Sequence, residues 1–188
     1  VFWFPLDGNR VDGPAAVREE LSLVVTADER SQWSRLRLPT LRDRRLAARG
    51  MLRCLLSALL HVEPQRIILE RGEAGKPSIA WPSARLHFNV SHSDELAAIA
   101  VSPTSAVGID VERISELLSP QTLERLCQHD SLLRGGLLQG RSPSTRELLD
   151  AWVREEARRK ATGVGWSGVP IGGEADPNRA ADLALVSE

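Results

Sequence analysis

The sequence predicts an α+β fold, and three observations predict it. A long stretch from Leu41 to Leu60 carries apolar residues at helical spacing. Between Arg66 and Glu112 lie several strand-like runs whose links are too short for crossover helices, so the sheets should be antiparallel. A second helical stretch, Thr145 to Thr162, follows them.

In chain order, a first strand is expected at Val1 to Leu6 and another at Leu21 to Thr26. Ala27-Asp28-Glu29-Arg30 reads as a helix start with an acidic first turn. In the Leu41 to Leu60 helix, Leu41, Ala48, Met51, Leu52, Leu55, Leu56 and Leu59 mark the core side, while Arg45, Arg49 and Arg53 recur at four-residue steps with Arg44 beside them. That basic row is either a solvated face or an anion-binding stripe. Strands are expected at Arg66 to Arg71, Arg85 to Val90, Leu96 to Ser102 and Ala106 to Glu112, punctuated by Gly, Pro, Ser and Asp. Pro120 fits the first turn of a helix reaching about Gln128, and Gly163 and Gly165 should stop the Thr145 to Thr162 helix. A Gly/Pro-rich connection, Trp166 to Ala181, then leads to a final strand at Asp182 to Ser187.

At 188 residues the chain can form one domain, or two small halves sharing a core, without disulfides. Its cysteines, Cys54 and Cys127, lack metal or redox spacing and read as buried small hydrophobes, which suits a reducing cytoplasm. No apolar run approaches the roughly 20 residues of a membrane span, so a soluble protein is expected. The start at Val1 rather than Met fits a trimmed beginning or a join to a larger polypeptide. A net charge of −1, from 24 basic and 25 acidic residues, argues against nucleic-acid binding. Only two of the basic residues are lysines, Lys76 and Lys160.

Strand alternation turns Asp110 and Glu112 to one face. On the last helix Trp152, Glu156 and Lys160 stand at i, i+4 and i+8 and share a stripe. Asp110, Glu112 and Glu156 could together offer three oxygen ligands to Mg²⁺, which leaves room for substrate phosphates. Taken alone, Glu156 and Lys160 would be an ordinary surface pair. In Ser91-His92-Ser93 the hydroxyls and the imidazole suit phosphate oxygens. A nucleophilic Ser-His pair is the weaker reading, because no Gly-x-Ser-x-Gly elbow surrounds either serine. Gly75-Lys76-Pro77 is a turn and not a P-loop, since no Ser or Thr follows the lysine. His61, His87 and His129 read as structural or exposed.

Taken in order, Gly75-Lys76-Pro77, Phe88 to Ser93, Gly108-Ile109-Asp110-Val111-Glu112 and Trp152-x3-Glu156-Ala157-x2-Lys160-x2-Gly163 closely resemble the motifs of 4′-phosphopantetheinyl transferases of the Sfp type. The resemblance implies two similar α/β halves with antiparallel sheets related by a pseudo-two-fold, residues 1–104 and 105–188, acting as one functional unit. It implies a holo-[acyl-carrier-protein] synthase type of enzyme that moves 4′-phosphopantetheine from coenzyme A to a serine of an acyl or peptidyl carrier protein, releasing 3′,5′-ADP. Fatty acid, polyketide and nonribosomal peptide pathways all use such carriers. Asp110, Glu112 and Glu156 would hold Mg²⁺ or Mn²⁺. Arg44, Lys76, Ser91 and His92, with Arg49 more weakly, would grip the phosphates of coenzyme A. Lys160 would contact its pyrophosphate, and Glu156, Lys160 and Asp110 form the expected catalytic set. A cytoplasmic monomer, or a domain of a larger synthase, is expected, with no nucleic-acid or membrane partner. The alternative is a non-catalytic module that binds coenzyme A or a carrier.

The chain departs from the family pattern twice. Glu155 stands where lysine is common, with Arg158 and Arg159 within pairing distance along the helix. The stretch after Gly163 is also short where family members continue through further strands, so the C-terminal half looks incomplete: either this member is unusually short or segments of it are missing.

Overall fold

The computed structural model describes residues 1–6, 14–72, 75–113, 140–162 and 183–186, with the backbone alone for 14–18 and 183–186. In order these form β1 (Phe2–Pro5), α1 (Pro14–Val24), α2 (Ala27–Ser34), α3 (Pro39–Leu60), a 3-10 turn (Pro64–Arg66), β2 (Ile68–Arg71), β3 (Pro77–Trp81), β4 (His87–Ser93), β5 (Leu96–Ser102), β6 (Asp110–Arg113), α4 (Thr145–Thr162) and β7 (Leu183–Val186). The fold is α+β with antiparallel pairing throughout the described sheets. The expected helix from Pro120 and the Trp166 to Ala181 connection lie outside the described residues, as do Cys127 and His129.

Local chemistry sets the helix starts. Thr26 caps α2 through a reciprocal box in which its hydroxyl accepts from Glu29 N at 3.3 Å and Glu29 Oε2 accepts from Thr26 N at 3.1 Å. Pro39 opens α3, where its missing N–H leaves no bond unmade. The helix ends at His61, which adopts the left-handed conformation and donates its N–H to Ser57 O.

One expected strand is a helix. Leu21 to Thr26 looked extended because its apolar residues are crowded and partly β-branched, but residues to Val24 complete α1. Packing decides: α1 lies against α3 so closely that a Cβ on Gly50 would sit 2.8 Å from Leu21 Cβ and O. Leu21 is thereby drawn into a core with Ala47, Leu52, Leu56, Phe88 and Ile99.

β5 is central to the three-stranded sheet β1-β5-β4. Its two faces serve two cores, with Ala97 and Ile99 packed beneath α3 and Leu96, Ala98 and Ala100 packed on Ile109 and Val111. β2 and β3 form a separate hairpin, and β6 pairs with β7. β3 went unanticipated because it begins at a proline and is short. The expected Arg66 to Arg71 strand begins instead with the 3-10 turn. β4 runs on to Ser93, so Ser91-His92-Ser93 lies within a strand rather than past its end.

Cys54 is exposed, against expectation. Leu52 faces the core, and two residues further along a helix is about 200° round. No described helix is long and apolar enough to cross a membrane.

Candidate active site

β4 meets β6 through side chains. Asn89 Oδ1 accepts from Ile109 N at 2.9 Å, Ser91 Oγ from Val111 N at 3.3 Å, and Ser93 Oγ from Arg113 N at 3.2 Å. Alternation on β4 puts these three residues on one face and Phe88, Val90 and His92 on the other. Ser91 therefore turns to Asp110, donating to Oδ1 at 2.9 Å, while His92 looks into a cavity on the opposite side. The adjacent phosphate-type residues of the sequence thus serve different places.

Ile109 and Val111 point into the core, which leaves Asp110 and Glu112 facing away from it. α4 packs on this strand at an unusually short distance: a Cβ on Gly108 would lie 1.9 Å from Ala157 O and 2.4 Å from Ala161 N. Val153 and Ala157, four positions apart and so on one side of the helix, are both buried. That approach carries Lys160 to Asp110, whose Oδ1 accepts from Nζ at 2.5 Å, with a further bond from Nζ to Ser91 Oγ at 3.1 Å. Asp110 is almost fully buried at 2% exposure, so its pairing with this ammonium offsets the cost of placing a carboxylate inside the protein.

Burial, then the Asp110 charge, pushes the Glu112 carboxyl up to about 7, and Glu156 adds to the shift. Lys160 and the Ser93 hydroxyl, which donates to Glu112 Oε2 at 3.4 Å, hold it back. Asp110, Glu112 and Glu156 accordingly occupy one electrostatic neighbourhood. They do not form a closed shell, since no three His, Cys, Asp or Glu among the described residues are gathered as a ready metal site. Asp110 Oδ1 instead meets the Lys160 ammonium. The donor chemistry nevertheless suits a hard cation. Asp110 Oδ2 and Glu156 Oε1 are buried oxygens, Oδ2 accepts no hydrogen bond from the described residues, and burial followed by repulsion from Asp110 raises Glu112.

On the far side of β4 is a cavity of about 280 Å³ lined by His92, Arg45, Arg49, Arg71 and the Trp33 ring, among others. Burial lowers the His92 pKa first, and Arg45, Lys160 and Arg44 lower it further. A cavity with three guanidiniums and an imidazole suits an anion, and phosphate fits the fork of arginine. The basic row of α3 is therefore neither wholly solvated nor wholly a binding stripe. Arg45 and Arg49 face the cavity, and Arg49 also pairs with Glu29 at 3.4 Å. Arg53 is buried, holding both Glu29 oxygens at 2.8 and 3.0 Å and the carbonyls of Pro64 and Ile67. Arg44 stands outside the cavity lining and pairs with Glu95 at 3.4 Å.

Lys76 is also placed differently from a simple phosphate grip. Its Nζ donates to Val107 O at 2.9 Å and Ala161 O at 3.1 Å, tying the β2–β3 turn to the approach of β6 and the last turn of α4. Burial lowers its pKa. Glu155 pairs with Arg158 and Arg159, so the carboxylate at the unusual position is neutralised along its own helix. Arg71 and Trp33 escaped sequence reasoning. Each is a single residue in an unremarkable context, and only the fold brings both to His92.

This α+β chain thus carries a buried carboxylate-ammonium pair on one face of β4 and an arginine-lined cavity suited to phosphate groups on the other. Residues 16–104 match the family model described as 4′-phosphopantetheinyl transferase, N-terminal. A 4′-phosphopantetheinyl transferase, HetI, of Nostoc is 33% identical over 160 residues, covering 82% of this chain and 66% of that protein. A phosphopantetheinyl transferase of Thraustochytrium is 29% identical over 175 residues, 87% of this chain and 58% of the relative. The 4′-phosphopantetheinyl transferase gsp of Aneurinibacillus migulanus is 31% identical over 124 residues, 65% and 49% respectively. The chain belongs to the 4′-phosphopantetheinyl transferase family. It spans from about half to just under two thirds of the length of these relatives.

Proposed function

We propose that this chain carries out, as an Sfp-type enzyme, the Mg²⁺-dependent transfer of 4′-phosphopantetheine from coenzyme A to a serine of an acyl or peptidyl carrier protein, releasing 3′,5′-ADP. The observation that carries the reading is the meeting of Lys160 from α4 with Asp110 and Ser91 from two strands, beside Glu112. A pseudo-two-fold arrangement of residues 1–104 and 105–188, a cytoplasmic location, and a monomer or synthase-domain state belong to the same reading. The intact acidic set and its ammonium count against a non-catalytic binding module.

Asp110, Glu112 and Glu156 would hold the cation, with Mn²⁺ as a substitute for Mg²⁺. Bound there, the ion supplies charge neutralisation for the pyrophosphate. Arg45, Arg49, Arg71 and His92 take the phosphate groups of the nucleotide, and Trp33 forms an apolar wall to the cavity. Arg44 and Lys76 contribute by leaving their present partners, Glu95 and the two backbone carbonyls. Glu156 accepts the proton of the carrier hydroxyl as the serine oxygen attacks the phosphorus bearing phosphopantetheine. The bond from that phosphorus to 3′,5′-ADP breaks, and Lys160 stabilises the charge that collects on the departing phosphate. No protein nucleophile is required, because the carrier brings its own.

The test is to incubate the purified chain with coenzyme A, Mg²⁺ and apo-carriers from fatty-acid, polyketide and peptide systems, and to weigh the carriers by mass spectrometry. At least one should gain the phosphopantetheine mass, and Asp110→Ala and Glu156→Ala should each abolish the gain. Carriers that all stay unmodified would refute the proposal.

A further inference from the structure

Two serines on β4 make the same pair of bonds to β6. Ser91 Oγ accepts from Val111 N at 3.3 Å and donates to Asp110 Oδ1 at 2.9 Å. Ser93 Oγ accepts from Arg113 N at 3.2 Å and donates to Glu112 Oε2 at 3.4 Å. In each case one hydroxyl binds a carboxylate and the backbone N–H of the residue after it. The repeat follows from geometry: both strands advance two residues per identical facing, so a partner that fits once fits again two residues on. Asn89 supplies a third rung to Ile109 N, but the residue before Ile109 is Gly108, which has no carboxylate to bind.

We propose that Ser93 is a positioning residue for the metal site, acting on Glu112 as Ser91 acts on Asp110, so that a pair of hydroxyl clasps sets the orientation of both strand carboxylates before a cation arrives. The inference rests on the assignment of Asp110, Glu112 and Glu156 as metal ligands. A glutamate side chain has three rotatable bonds, and an unclasped Glu112 would lose that freedom only on binding, which weakens the site. Ser91 is further held by Lys160, whereas Ser93 bonds to no ammonium among the described residues, so Ser93 reports on the clasp more cleanly.

The test is direct binding of Mn²⁺ to the purified chain with saturating coenzyme A, read from the electron paramagnetic resonance signal of free Mn²⁺, which needs no turnover. Ser93→Ala should weaken Mn²⁺ binding by about tenfold, the scale of losing an outer partner of a metal ligand. Ser93→Thr keeps the hydroxyl and suits a strand, so it should restore binding to near the parent value. Thermal melting of each variant is measured alongside. Unchanged Mn²⁺ affinity in Ser93→Ala overturns the inference while leaving the metal assignment standing. Equal losses in Ser93→Ala and Ser93→Thr overturn it too, since that pattern reports packing and not the hydroxyl. If the parent chain itself takes up no Mn²⁺, the metal assignment fails and the inference with it.

Discussion

Lys160 Nζ donates to Asp110 Oδ1 at 2.5 Å, joining residues 50 positions apart in the chain. Asp110 has 3% side-chain exposure and Lys160 30%, so the carboxylate depends on the lysine far more than the reverse. Lys160→Met should therefore cost about 3 kcal/mol of stability in urea unfolding, the low end for stranding a buried charge. Adding Asp110→Asn to Lys160→Met should recover much of that loss while leaving carrier modification at background. Recovery of stability without recovery of transfer separates the structural from the chemical part of the pair.

Gly108→Ala is expected to be more damaging than its size suggests. The new methyl would fall on the backbone of α4 at Ala157 and Ala161, atoms that cannot swing aside as a side-chain tip does. A loss of about 3 kcal/mol, the upper range for overpacking, is expected in denaturant unfolding. Transfer by the folded fraction should fall as well, because Glu156 and Lys160 move with the helix.

Glu29 links acid sensitivity to the Arg53 anchor. Burial alone would raise its pKa, but the hydrogen bonds from Arg53 and Thr26 and the charge of Arg49 outweigh burial and hold it below the ordinary value of 4.5. A depressed carboxylate contributes stability that is present above the unfolded value and is lost as pH falls through the folded one. Glu29→Gln should thus be destabilised by about 3 kcal/mol near pH 7, with Arg53 left buried and poorly paired. The gap to the parent should begin to close as pH falls below 4.5 and vanish only once pH lies below the depressed folded value, where Glu29 is neutral as well. Melting curves across pH 3 to 7, as an approximate window set by that linkage, check both limits.

His92 should couple anion binding to proton uptake. Its pKa is lowered by burial and by Arg45, Lys160 and Arg44, so the free protein holds the ring neutral at neutral pH. A phosphate in the cavity would favour the charged ring and raise that value. Coenzyme A should therefore bind more tightly as pH falls below about 6.5, the ordinary histidine range, with protons drawn from the buffer. Calorimetry in two buffers of different ionisation heat measures the uptake, and His92→Gln should remove it.

Much of this architecture was legible in the sequence because long periodic segments announce themselves. α4 matches Thr145 to Thr162 at both ends, and β5 matches Leu96 to Ser102. α3 begins slightly before the first periodic leucine, where Pro39 starts the turn. Leu21 to Thr26 misled because a short apolar run has no period of its own, and contact with Gly50 made it helical. At the site, the residue types of Asp110, Glu112, Glu156 and Lys160 could be read in advance, but their present partners could not. The sequence pattern gives a serine or a lysine without saying which strand or carbonyl it will meet. Ser91 turned toward Asp110 and Lys76 toward Val107 and Ala161 because β4 and β6 run side by side, a tertiary fact.

At Gly108 the strand approach and the helix meet main chain to main chain, with no side chain between them. The reach from the helical acid and ammonium to the strand acids is consequently a ruler made of peptide units, whose lengths do not vary with rotamer. The ion pairs of Glu155 with Arg158 and Arg159 run along the helix itself and leave that ruler untouched, so the reactive spacing stays calibrated by an atom the chain leaves out.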